Sequence, residues 1–220
     1  MIRLGVLSDT HLPHRLPQLP ASVVEVFTSA AVDLIIHAGD VDDPQALKPL
    51  SQVAPVIAVR GNVHFRDLSR GGAELPYHVE LALCGRRLIV THGHRQGVIG
   101  FWDNVAVALT HRLGLLTRER INRSIAQRLR RYFPRADVVV FGHTHESFQM
   151  WIDRTFFFNP GAVSQDEGDM PSVGILTLGH DLLEAEIVPL PDLLTHRDRG
   201  KERDGPNSVP RSRRHAEPLL

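Results

Sequence analysis

A chain of 220 residues can build one domain with a sizeable core, alone or with a tail. Its 25 basic and 25 acidic side chains cancel, so no overall field selects nucleic acid or an anionic membrane as partner. One cysteine, Cys84, rules out an internal disulfide and fits a reducing compartment, and no apolar run approaches the roughly 18 residues that cross a bilayer. Met1 leads directly into an apolar run without the basic segment and small-residue cleavage site of a secretory signal, so the expected location is cytoplasmic. The unusual count is 13 histidines.

In chain order, IRLGVL (2 to 7), DLIIHA (33 to 38) and PVIAVR (55 to 60) read as strands, with helix-like apolar periodicity between them at Ala21 to Ala30 and Pro44 to Val53. That alternation predicts βαβαβ and a mainly parallel sheet. YHVELAL and RRLIVTHG, joined by Cys84-Gly85, are too close for a crossover and predict a hairpin; the cysteine itself reads as a small core hydrophobe in a strand. From Gly100 to Phe133 the pattern is helical, with Ile121, Ile125, Leu129 and Tyr132 or Phe133 on one face. A helical pair packed on a sheet, its arginines in solvent, is favoured there over a basic substrate lid. DVVVFG, SFQMWI, TFFFN, SVGILTL and LLEAEIV supply further strands. Residues 1 to 190 are expected to form the domain, and 195 to 220, charged and poor in apolar residues, a disordered tail.

The strands end on side chains able to hold a metal. IRLGVL runs into Ser8, Asp9, Thr10 and His11; LIIHA into Gly39 and Asp40; IAVR into Gly61, Asn62, Val63 and His64; LIVT into His92, Gly93 and His94; VVVF into Gly142, His143, Thr144 and His145. In a parallel α/β sheet such carboxyl ends share one edge, and ligands bind in the crevice beyond it. Two aspartates, an asparagine and four or five histidines form a mixed oxygen and nitrogen set suited to Mn, Fe, Zn, Co or Ni, and no thiolate is present to make a structural zinc site. Seven good donors exceed the four to six that close one shell, which implies two divalent ions about 3.5 to 4 Å apart with a carboxylate between them. Taken singly, Asp-x-His, Gly-Asp and Gly-Asn are everyday turns. The five motifs in this order, each behind an apolar strand, are not what turn chemistry produces. The glycines before Asp40, Asn62 and His143 allow sharp turns at the strand ends.

With these motifs the sequence resembles the calcineurin-like metallophosphoesterases, and among them the small YfcE-type phosphodiesterases, over roughly Met1 to Val188. The resemblance implies a four-layer α/β/β/α sandwich, two facing mixed sheets flanked by helices, with a dinuclear site at the strand ends. Carried over residue by residue, one metal takes Asp9, His11 and His145, the other Asn62, His92 and His143, and Asp40 bridges them. Asn159-Pro160-Gly161-Ala162 resembles the family's N-P-G-S turn, with Asn159 and Gly161 near the substrate or behind the ligands, but Ala162 lacks the serine hydroxyl. The implied reaction is hydrolysis of a small phosphoester, more a diester than a monoester, by in-line attack of a hydroxide bridging two divalent ions, Mn first among them. His64 departs from the family patterns at its position; it protonates the leaving oxygen, holds the phosphate, or is an ordinary loop histidine. His94 is expected beside the substrate or behind the metal ligands, and His37, inside a strand, is read as structural. The alternative is a catalytically weak scaffold or protein-interaction module of the same fold, like the retromer subunit, which THLPHRLPQLP resembles; the intact Asp40 and Asn62 favour the enzyme. A homo-oligomer is left open.

Overall fold

Alternation along the strands sets the layers. In β1 (Ile2–Leu7) Leu4 and Val6 face one side of the sheet and Leu7 the other, and in β6 (Val138–Val140) Val138 and Val140 oppose Val139 in the same way. Both faces of these strands are apolar, so each sheet must be covered twice. The computed structural model describes residues 1–61, 74–94, 117–164 and 170–191. Asn62 and His64, residues 100–116 of the helical stretch and the expected tail from 195 to 220 lie outside the described residues.

One sheet joins β1, β2 (Leu34–His37) and β3 (Val56–Ala58) to β9 (Ser172–Leu178) and β10 (Leu183–Pro189), in the order β10-β9-β1-β2-β3. The other joins β4 (His78–Leu83), β5 (Arg86–Thr91), β6, β7 (Phe148–Ile152) and β8 (Thr155–Asn159), in the order β4-β5-β6-β8-β7. β1, β2 and β3 run parallel, as do β5, β6 and β8; β9, β10, β4 and β7 pair antiparallel, so both sheets are mixed. Between the sheets, Leu4, Val6, Ile36, Ala38 and Val59 meet Leu88, Val90, Val138, Val140, Phe156 and Phe158. On the outer side of the first sheet Leu7, Ile35 and Ile175 pack on Val23 and Phe27 of α1 (Ala21–Ser29). On the outer side of the second, Ile89, Val139 and Phe157 pack on Ile125, Ala126 and Leu129 of α2 (Arg118–Tyr132). The result is the four-layer sandwich.

Two local readings change, and one open choice is decided. The second crossover is no α-helix: it is two short 3-10 helices, Pro44–Leu47 and Leu50–Gln52, the first capped by Asp43 accepting from the Gln45 N–H at 2.9 Å. Pro49 lies between them and can donate no N–H to a continuous helix. Cys84 is not in a strand. With Gly85 it forms the two-residue turn between paired Leu83 and Arg86, at φ of 50° and 78°, the positive angles a tight hairpin demands. On α2 Phe133 packs on the core edge while Tyr132 is 68% exposed, and the buried stripe contains a polar residue, Asn122.

Phe158 is fully buried between the sheets. Phe158→Ala should cost about 3–5 kcal/mol in urea denaturation, the range for deleting a buried aromatic ring; a loss below about 1 kcal/mol would contradict this packing.

Candidate metal centre

The loops leaving β1, β2, β5 and β6 are tied edge to edge before any side chain acts. The Asp9 and His11 N–H groups donate to the carbonyls of Gly39 and Asp40, each at 3.0 Å, and the Gly142 N–H donates to the His92 carbonyl at 3.2 Å. The backbone curls sharply at the candidate ligands: φ is 52° at Asp9, 46° at His11, 57° at Asp40, 78° at His143 and 60° at His145. A side chain held in this region costs about 1–2 kcal/mol, so five together mark a site for which local stability is given up. Gly61 and Gly142 are demanded by close approach. A Cβ at Gly61 would lie 1.9 Å from Asp40 Oδ1, and one at Gly142 would lie 2.7 Å from Asp9 Oδ2.

Asp9, His11 and His145 bring a donor atom each into one group, and Asp9, Asp40 and His92 into a second, with the atoms of each group within 4.8 Å of one another. Both carboxylates reach across. Asp9 Oδ1 is 3.3 Å from His145 Nε2 and 3.9 Å from His92 Nε2; Asp40 Oδ2 is 3.3 Å from His92 Nε2 and 3.6 Å from His11 Nε2. The His143 ring lies 5.1 Å from that of His92, and the His143 N–H donates to Asp9 Oδ2 at 3.1 Å. His94 stands one rank out, its ring 5.4 Å from His92 and 6.3 Å from His143.

The electrostatics call for cations. Burial raises the carboxyl of Asp9, but His145, His92 and His11 outweigh it and hold it far below the usual range; Asp40 is likewise raised by burial but lowered to about 2 by His92. Burial lowers His92, and Asp40 and Asp9 overcome this and bring it to about 9. His143 and His94 are lowered to about 3 and about 4, by burial first and His92 second, so at neutral pH their rings are uncharged. Asp9 Oδ1, His11 Nε2, His92 Nε2 and His94 Nδ1 are buried without a well-aligned hydrogen-bond partner. Buried acceptors of this kind are costly unless a ligand satisfies them, and the donor set fits first-row divalent ions.

Behind the candidate ligands lies a set of polar residues, of which the sequence points only to Asn159 and to a structural His37. His92 Nδ1–H donates to the Ala38 carbonyl at 2.9 Å, which leaves Nε2 facing the carboxylates. His37 Nδ1 accepts from the Gly39 N–H at 3.2 Å, so its Nε2–H points to Thr10 Oγ1 at 3.0 Å; burial lowers this ring to about 4 and keeps it neutral. The Asp42 carboxylate stands 3.8 Å from His11 Nδ1. Ser164, two residues past the missing hydroxyl of Ala162, donates to the Asp9 carbonyl at 2.8 Å, and Ser8 Oγ donates to the Gly161 carbonyl at 2.5 Å. Asn159 acts from behind: its amide donates to the Gly142 carbonyl at 3.1 Å and to Thr144 Oγ1 at 3.0 Å. Asn122 of α2 completes the clamp, accepting from Thr144 Oγ1 at 2.8 Å and from Asn159 at 3.1 Å. Its signal in the sequence is faint: an asparagine in the apolar stripe of a helix.

Gly61→Ala should weaken Mn binding at least about tenfold, read by metal titration, because the added Cβ overlaps Asp40; unchanged affinity would contradict the close approach. Asn122→Ala, which removes the acceptor shared by Thr144 and Asn159, should destabilise by about 1–3 kcal/mol and weaken metal binding with it. Near pH 7.5, His92 at about 9 carries a proton that a metal must displace, so the Mn-binding enthalpy should vary with the buffer's ionisation enthalpy, in the direction of proton release. No buffer dependence would contradict that charge state.

The model of the calcineurin-like phosphoesterase superfamily domain matches residues 2–181. A probable metallophosphoesterase of Methanothermobacter thermautotrophicus is 32% identical over 189 residues, covering 84% of this chain and 91% of its own length. The phosphodiesterase YfcE of Escherichia coli K12 is 29% identical over 196 residues, covering 80% and 88%. Among solved structures, Vps29 of Entamoeba histolytica in complex with zinc superposes with a TM-score of 0.58 over 86% of this chain and 99% of that one, at 16% identity, a likeness of fold alone. Strand-end motifs, mixed sheets and sequence matches agree: the chain belongs to the calcineurin-like phosphoesterase superfamily.

Proposed function

We propose that this phosphoric ester hydrolase cleaves a phosphodiester using two divalent ions, Mn the best suited. Asp9, His11 and His145 would hold one, Asn62, His92 and His143 the other, with Asp40 shared. The observation that carries this reading is the pair of buried aspartates ringed by imidazoles, with Asp9 Oδ1, His11 Nε2 and His92 Nε2 lacking a well-aligned hydrogen bond. A divalent pair supplies a nucleophilic water at neutral pH and neutralises the phosphoryl oxygens as charge moves to the leaving group.

The residues of the chain hold and orient. The Ala38 carbonyl fixes the ring of His92, the Asn122, Thr144 and Asn159 clamp fixes the loop carrying His143 and His145, and Ser164 fixes the backbone of Asp9. His64 is assigned the protonation of the departing oxygen, a task suited to an imidazole, the commonest general acid in catalysis. The competing reading, an interaction module, draws on the likeness to Vps29, and it leaves the cluster of unpartnered buried donors without a use.

Purified protein with Mn should hydrolyse bis-p-nitrophenyl phosphate faster than p-nitrophenyl phosphate, carry two metals per chain by elemental analysis, and lose activity with EDTA. Asp40→Ala and Asp9→Ala should each lower kcat/KM at least about 100-fold, the scale for removing a charge-stabilising group. Wild-type rates in either variant would overturn the enzyme reading. His64→Ala should slow poor leaving groups more than good ones at unchanged metal content; a uniform effect would remove His64 from the donor role.

A further inference from the structure

Arg60 lies just beyond the end of β3, next to Gly61, whose backbone packs on Asp40. Its N–H donates to the Pro76 carbonyl at 2.7 Å, which ties the strand end to the segment before β4. The guanidinium carbon stands 4.9 Å from the centroid of the Tyr77 ring. Tyr77 is 40% exposed, and its ring lies 6.4 Å from that of His94, which in turn lies 5.4 Å from His92. A line of rings thus runs outward from the metal ligands to a half-buried cation.

That cation has no carboxylate partner among the described residues. Arg87 pairs with Glu80, Arg123 with Glu119 and Arg130 with Asp153, all away from the site. Arg128, the other guanidinium whose field reaches His94, donates to the Gly93 carbonyl and is engaged by the backbone. Arg60 is held by an aromatic face, which orients a guanidinium without consuming its fork of N–H donors. An oriented guanidinium that meets no carboxylate among the described residues, and stands two rings out from His92, matches a carboxylate or phosphate, which it binds through two parallel hydrogen bonds.

We propose that Arg60, braced by Tyr77, is a specificity-determining residue that binds a second anionic group on the substrate, carried on an ester arm beyond the phosphoryl group at the metals. This rests on the phosphoesterase reading above and adds the substrate class: phosphoesters bearing a further phosphate or carboxylate. Tyr77 acts through Arg60 and is a positioning residue.

Two matched pairs test it with the Mn-loaded protein: p-nitrophenyl ethyl phosphate against its carboxymethyl counterpart, and the p-nitrophenyl ester of thymidine 5′-phosphate against that ester with a 3′-phosphate. In at least one pair the wild type should favour the anionic-arm member by at least about tenfold in kcat/KM. Arg60→Ala should collapse that preference to near parity, Arg60→Lys should restore only part of it, and Tyr77→Leu should erode it. A merely structural stack would lower both members of a pair equally, and that result, or no wild-type preference in either pair, overturns the proposal. Calorimetry separates the two readings: Arg60→Ala should weaken phosphonoacetate binding at least about tenfold more than methylphosphonate binding. If the wild type turns over no ester, the phosphoesterase reading fails, while this binding difference still decides whether Arg60 is an anion-binding arm. Equal weakening, or none, refutes it.

Discussion

Two buried carboxylates held side by side govern this structure. Asp9 is fully buried and Asp40 is 8% exposed, and the charge of Asp9 works against the ionisation of Asp40. Left alone, burial and mutual repulsion would protonate both. The surrounding imidazoles prevent it, His92, brought to about 9, serving as an internal cation. The balance is costly because the same imidazole nitrogens that face the carboxylates are the ones that would bind metal. The cluster therefore holds like charges in tension, a cost that a bound cation would offset.

The rest of the molecule resists that tension. Ligand loops enter at left-handed backbone angles, and each is anchored behind the ligand rather than by it: Asp9 through Ser164, His92 through Ala38, and the loop of His143 and His145 through Asn159 and Asn122. The anchors come from both sheets and from α2, so the centre sits where all of them meet at one end of the sandwich. The inter-sheet aliphatic and phenylalanine core fixes that end. A shift of one strand would move a ligand by more than a coordination sphere tolerates.

Outside the cluster, His94 and Tyr77 lead in a line of rings to Arg60. A guanidinium thus stands two rings out from His92 although the chain is neutral overall. Under the role proposed for Arg60, selection among phosphoesters would rest on local placement of one guanidinium, not on a global field.

The amino-acid sequence by itself determined the strands, their parallel core and the residue types at their ends, because hydrophobic periodicity and glycine–ligand pairs are local signals. Asp9, His11, Asp40, His92, His143 and His145 stand out as candidate donors for that reason, each lying within a few residues of the end of an apolar run. Periodicity over Pro44 to Val53 misled, since it does not weigh the interruption at Pro49. Only the tertiary structure decided that both aspartates reach across the two ligand groups, that Gly61 exists to clear Asp40, and that Asn122, His37, Ser164 and Arg60 matter. The physical reason is that these are contacts between segments tens of residues apart. Their geometry depends on loop closure and on how the sheets face each other, which no short window of residues encodes.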